Sequence, residues 1–192
     1  MPSPEGESAA GVTADASRRP PVELVGRSIV LVPVRSEHVD ALVRIIDEPS
    51  VAAWWTDTET WFRAGLLEPD PDETAFAILT AARDAVIGFI QATEELEPGY
   101  RHAGVDLFVA TAHQGRGVGP EAIRLVVRWL IDERGHHRVT IDPAVANVRA
   151  IRAYEKVGFR RVGVLRQYER GRDGSWHDGL LMDLLASELS PD

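Results

Sequence analysis

Cysteine is absent from the 192 residues. That excludes disulfides, thiolate metal sites and a cysteine nucleophile together, so any thiol chemistry must arrive on a bound molecule. No apolar run approaches the roughly 20 residues that span a bilayer, and no membrane partner is expected. Cations are the scarcer charge: 21 Lys and Arg stand against 30 Asp and Glu, a net charge of −9. A nucleic-acid binder needs a basic face for phosphates, so no nucleic-acid partner is expected. An acidic field can instead draw in small cationic molecules, or serve solubility alone. The six histidines have no ligand-like spacing, and no metal is expected. His136-His137, past the end of a helical stretch, reads as a surface pair favoured by the helix dipole. Met1 to Pro21 is rich in Pro, Ser, Gly, Ala and Glu and lacks the basic start and apolar core of a secretory signal. Residues 1–21 are therefore expected to be a disordered tail, residues 22–192 one domain with a full core, and the location cytoplasmic.

What is present alternates between two periods. Ile29 to Arg35 reads as a strand. Ser36 is placed to cap a helix whose apolar positions Val39, Leu42, Val43 and Ile46 recur at helical spacing. Pro49 interrupts, and 51–67, with Trp54, Trp55 and Trp61, predicts one or two short helices before an acidic loop at 68–73. Strands are predicted at 74–81, 86–93 and 103–110, with a tight hairpin at Arg83-Asp84. A helix follows with Ile123, Val126, Val127, Leu130 and Ile131 on one face and Gly135 as its stop. Then come a strand at 138–142, a helix opened by Asn147 and ended by Gly158, and two strands at 159–167 and 177–185 around a polar turn. The order predicts a mixed α/β or α+β fold in a single domain.

Between strand 103–110 and its helix lies Gln114-Gly115-Arg116-Gly117-Val118-Gly119-Pro120. Glycines leave backbone amides uncovered, and a helix N-terminus carries partial positive charge, so this turn is suited to phosphate. Arg116 adds a planar set of donors. The spacing fits neither a Walker loop nor the dinucleotide pattern, and Gly-rich turns also precede helices for steric reasons alone.

Gln-x-x-Gly-x-Gly at a strand-to-helix turn resembles the coenzyme A signature of the Gcn5-related N-acetyltransferases. The segment Asn147-Val148-Arg149-Ala150-Ile151-Arg152-Ala153-Tyr154-Glu155-Lys156-Val157-Gly158-Phe159 resembles that family's Asn-x-x-Ala-x-x-x-Tyr-x-Lys-x-Gly-Phe stretch. The likeness covers roughly residues 27–186. It implies a mostly antiparallel sheet split like a V and flanked by helices, with acetyl-CoA as cosubstrate between strands 103–110 and 138–142. Gln114, Gly115, Arg116, Gly117, Val118 and Gly119 would hold its pyrophosphate. Phe108 and Val109 would pair with its pantetheine, and Asn147 would touch that arm, besides being a natural N-cap. Within the superfamily the chain is most similar to aminoglycoside 6'-N-acetyltransferases, at Ala53-Trp54-Trp55, Gly104-Val105-Asp106 and Ile141-Asp142-Pro143. The polar turn at 170–178 is longer than that group's. The likeness implies a small cationic amine as partner and leaves monomer and homodimer both open.

Acetyl transfer to an amine needs a base, a second charge to hold the ammonium, an oxyanion donor and an acid for the departing thiolate. Asp106, a carboxylate in an otherwise apolar run, is the candidate base and ammonium ligand; its other reading is the outward position of an alternating strand. Asp142 is either a second cation ligand or the start of an Asp-Pro turn. Asp178 is a third candidate ligand or a surface residue of an edge strand. Tyr154 is the candidate acid, or a core tyrosine with a satisfied hydroxyl. An N–H near Val109 is the candidate oxyanion donor. Trp54 and Trp55 either line the acceptor pocket or pack as core and lid, with one expected to bury while the other faces away. Acetylation of an aminoglycoside 6'-amine, of another amine (polyamine, protein N-terminus, siderophore precursor), or a CoA-binding regulatory module without turnover are the readings in play.

Overall fold

Short runs of β-branched and aromatic residues, broken by Gly, Pro and Asp, fold into strands that all join one sheet. The computed structural model describes residues 23–55, 59–68 and 70–189, with the backbone alone at Trp61 and Leu67. The expected tail 1–21 lies outside the described residues. The chain runs β1 (Leu24–Val25), β2 (Ile29–Pro33), α1 (Ser36–Ile46), α2 (Pro49–Ala52), α3 (Glu59–Leu67), β3 (Glu73–Thr80), β4 (Val86–Glu95), β5 (His102–Val109), α4 (Val118–Asp132), β6 (Arg138–Ile141), α5 (Val148–Val157), β7 (Arg160–Arg170) and β8 (Trp176–Leu185). The sheet order is β1-β2-β3-β4-β5-β6-β8-β7.

All neighbours are antiparallel except β5 and β6. That parallel pair keeps register only at Ala103↔Val139 and Gly104↔Thr140. Beyond Gly104, β5 continues along β4, and among the described residues no ladder covers its other side. The V-shaped split begins there.

Each face has its own apolar layer. α4 buries Val118, Ala122, Ile123, Val126, Val127 and Leu130 in one cluster with Leu31, Phe76, Ile78 and Val105. On the other face, Val39, Leu42, Val43 and Ile46 of α1 cluster with Phe62, Phe89 and Phe108. Each fully buried aliphatic or aromatic side chain stabilises by about 1.5–3 kcal/mol, so the two layers hold β4 and β5 rigidly between them.

Several local expectations are corrected. Ser36 is the first helical residue and Arg35 stands at the N-cap position; His38 Nδ1 accepts the Arg35 N–H at 3.1 Å, the return half of a capping box supplied by an imidazole. Pro49 opens α2 at its first turn, where its missing N–H loses no bond. The two-residue β1 carries too little pattern to be seen in advance. β8 lies between β6 and β7, so the edge strand is β7. His136 is no surface residue: it is 1% exposed, and its Nε2 lies 2.7 Å from Glu94 Oε2. Arg134 donates to the same carboxylate from Nε at 3.1 Å and from its second nitrogen at 3.0 Å. A buried carboxylate at the end of β4 draws Arg134 and the His136 ring of the α4–β6 turn inward.

Candidate active site

The turn after β5 is shaped by two glycines. Gly115 and Gly117 take φ of 77° and 88°, a left-handed backbone that side chains disfavour. Gly117 is the N-cap of α4, so the first amides of that helix open onto the turn. The buried Val118 anchors it from below. Gln114 locks it sideways: its amide donates to Val109 O at 2.8 Å and to Ser50 Oγ at 3.1 Å, and its carbonyl accepts from Arg149 at 2.9 Å. Asn147 caps α5, accepting the Ala150 N–H at 3.1 Å.

These pieces line a cleft of about 860 Å³, walled also by Val109, Trp54 and Tyr154. Its basic side chains are Arg149, Arg152 and Lys156 on α5. Arg116 is exposed and does not line the cleft. Helical spacing at 149, 152 and 156 was the signal available for them.

Backbone polarity on β5 follows from one bond. Ala110 N–H donates to Ile87 O at 2.9 Å, so the hydrogen-bonded pairs of this ladder are Ile87–Ala110, Phe89–Phe108 and Gln91–Asp106. Leu107 and Val109 therefore turn N–H and C=O to the open edge of the split. Phe108 turns its own toward β4, and its ring packs on Trp55 and Phe89. Of the two residues expected to meet a pantetheine, Val109 alone presents its backbone.

Asp106 and Asp142 stand at the split, both half-buried. Burial first, then the charge of Asp142, pushes the Asp106 carboxyl up to about 7, against a hydrogen bond from Gln91. Glu169 and Glu73 add in the same direction. Burial, followed by the charges of Asp106 and Asp142, raises the Tyr154 phenol above its ordinary value; it stays a proton donor. The structure thus brings Asp106, Asp142 and Tyr154 together. It adds Tyr168, whose hydrogen bond to Asp142, reinforced by burial, pushes its phenol to about 12. A tyrosine in an exposed, charged strand gives no sequence signal of that partnership.

Trp54 and Trp55 differ in their surroundings, though neither is fully buried. Trp55 packs edge-on against Phe62, Phe89 and Phe108, while Trp54 is 39% exposed. Both form the partition between the cleft and a second cavity of about 730 Å³, which Glu169, Trp176 and Asp178 also line. Asp178 is exposed, and its Oδ1 accepts the Gln167 N–H at 2.7 Å. Arg172, in the β7–β8 turn, reaches over this cavity to Trp55 O at 2.8 Å and Asp47 at 3.3 Å.

Residues 28–160 match the acetyltransferase (GNAT) domain model, and the chain belongs to that family. Among its relatives is the "Probable N-acetyltransferase YjcK" of Bacillus subtilis (strain 168), 32% identical over 119 residues, 62% of this chain and 65% of that protein. The "Aminoglycoside N(6')-acetyltransferase type 1" of Klebsiella pneumoniae is 41% identical over 73 residues, 38% of this chain and 35% of that protein. The chain thus spans less than two thirds of either relative. A crystal structure of spermidine N-acetyltransferase from Vibrio cholerae in complex with CoA and spermine shares the fold, with a TM-score of 0.72, 20% identity and coverage of 84% of this chain and 97% of that one.

Proposed function

We propose that this protein transfers the acetyl group of acetyl-CoA to an amine of a small cationic molecule, the 6'-amine of an aminoglycoside. The observation that carries the reading is the Asp106–Asp142 pair. Two carboxylates share one split in the sheet, and among the described residues neither is paired with a Lys or Arg. An uncompensated pair of this kind is costly to keep, and a substrate ammonium is what relieves it. Aminoglycosides carry several such groups. The 41% identity over 73 residues to the Klebsiella pneumoniae relative supports the same class.

The residues present fit the cofactor. The uncovered amides of Gly115 to Gly119 and the basic face of α5 suit a pyrophosphate, and Val109, its carbonyl held by Gln114, offers its N–H to an amide-bearing arm. When bound, acetyl-CoA supplies an activated acetyl thioester. Asp106, whose carboxyl rises to about 7, accepts a proton from the bound ammonium and frees its lone pair. Asp142 holds the cationic acceptor beside it. The Val109 N–H, at the open edge, stabilises negative charge developing on the acetyl oxygen. Tyr154 gives a proton to the departing sulfur and regains one as the acylated nitrogen sheds its second proton, while Asp106 releases the first to solvent. The products are an N-acetylated amine and CoA with a free thiol.

A thiol reagent reads that product directly, and a protein without cysteine gives no background. Purified protein with acetyl-CoA is expected to release CoA with kanamycin, tobramycin and amikacin, and to lose turnover with analogues bearing a 6'-hydroxyl. Turnover on spermidine or a basic peptide alone keeps the acetyltransferase and discards the aminoglycoside. Silence with every amine, while acetyl-CoA still binds, leaves a CoA-binding module and overturns the reading.

A further inference from the structure

Tyr168 stands on the edge strand β7 and reaches Asp142, beyond the end of β6, by lying across β8. Three local features make that reach possible. The β7–β8 register shifts between Leu165 and Glu169, and inside the shift Gln167 takes a left-handed φ of 50°, held by its N–H on Asp178 Oδ1 at 2.7 Å. The strand opposite has glycine where the ring rests. A Cβ built on Gly179 would lie 2.9 Å from Tyr168 Cδ1, and its next nearest neighbours are Tyr168 Cγ and Cβ, at 3.5 and 3.6 Å. The Asp142-Pro143 segment is tied to the same point of β8: Leu180 N–H donates to Pro143 O at 2.8 Å, Val145 N–H donates to Asp178 O at 2.9 Å, and Ala144 bridges Gly179. The outcome is a phenol hydrogen-bonded to the Asp142 carboxylate. Tyr168 is 53% exposed, so core packing does not account for an aromatic ring there.

We infer that Tyr168 is a positioning residue of the acceptor site, its phenol aiming the Asp142 carboxylate beside Asp106 so that the two receive one ammonium together. The inference rests on the acetyltransferase reading above. The groups facing the carboxylates are Gln91 on β4, Glu73 on β3, Tyr154 on α5, and Tyr168 and Glu169 on β7. None is a cation. A hydrogen-bond donor on Asp142 is therefore what keeps its charge in place against that of Asp106. With its hydroxyl pushed to about 12, Tyr168 stays a donor throughout the neutral range.

Tyr168→Phe keeps the ring on Gly179 and removes the hydroxyl alone. It is expected to raise KM for tobramycin roughly ten-fold, the worth of one hydrogen bond to a charged group, with acetyl-CoA affinity unchanged by calorimetry. Gly179→Ala pushes the ring aside with the hydroxyl still present. It is expected to raise KM likewise, and the double variant to do no worse than the larger single effect, because both act through one bond. Carboxyl ¹³C NMR tests the contact without turnover. In Tyr168→Phe the Asp142 carboxylate is no longer held beside Asp106, so the Asp106 midpoint moves down from about 7. An Asp106 titration identical in wild type and Tyr168→Phe overturns the inference. If the wild-type protein acetylates no amine, the acetyltransferase reading falls separately, and the carboxyl titration alone decides whether Tyr168 positions Asp142.

Discussion

Glu94 and Asp106 sit on neighbouring strands of one ladder, on opposite faces of the sheet, and meet opposite fates. Burial pushes both carboxyls up. At Glu94, 6% exposed, hydrogen bonds from His136 and Arg134 and the Arg134 charge outweigh it and hold the group below its ordinary value. At Asp106 the neighbouring charges are other carboxylates, opposed by a hydrogen bond from Gln91, so the group rises to about 7. Burial alone therefore does not decide which way a carboxyl shifts. The supply of cations does: the fold sets Arg134, beside His136, against Glu94, while among the described residues neither Asp106 nor Asp142 is paired with a Lys or Arg.

The sharpest break of this comparison is Asp106→Asn. It removes the proposed base but keeps the side chain's shape, and is expected to lower kcat/KM by about 10²–10⁴-fold, with acetyl-CoA binding intact. Steady-state kinetics beside calorimetry check it. Next comes Arg134→Met, which strands Glu94 without its main cation. It is expected to cost about 3–5 kcal/mol and to lower Tm by on the order of 10 °C, while kcat/KM measured well below Tm stays near wild type. If instead Arg134→Met lowers activity without moving Tm, the division between the two acids fails.

The two sites also predict opposite pH responses. Glu94 is held low in the folded protein, so its stabilisation is present above the unfolded carboxylate value and is lost as pH falls through the lower folded value. Asp106 is held high, so the folded state binds more protons than the unfolded one between about 4 and 7, and stability falls as pH rises through that window. Asp106→Asn is thus expected to be more stable than wild type above pH 7, by about 1–2 kcal/mol after allowing for solvent screening of a half-buried group. Denaturant unfolding at pH 5 and pH 8 reads the difference, which should shrink at the lower pH. The smallest effect belongs to a cation outside both clusters: Arg116→Ala, exposed and off the cleft wall, should raise KM for acetyl-CoA by roughly two- to three-fold at most, the scale of a surface ion pair.

The parts legible in the sequence were those with local causes. The glycine turn, the Asn147 cap and the α4 stripe are each written in a few adjacent residues, and Asp106 stood out because its neighbours are apolar. The parts that were hidden depend on pairing across the sheet. His136 looked like a surface residue because its partner Glu94 lies 42 positions away. Tyr168 meets Asp142 only because β8 runs between their strands and carries glycine at 179. The basic wall on α5 was overshadowed by Arg116, which is nearer in sequence to the glycines but does not line the cleft. Phe108 and Val109 were indistinguishable until one backbone bond, Ala110 to Ile87, set the parity of the strand.

Asp106 is expected to keep a proton near neutrality because, among the described residues, no Lys or Arg is paired with it. The most direct test is a ¹³C titration of the Asp106 carboxyl in the ligand-free wild-type protein. A midpoint at about 7 is predicted, moving down when a polycationic amine is bound. A midpoint in the ordinary carboxylate range, unchanged by the amine, contradicts the account.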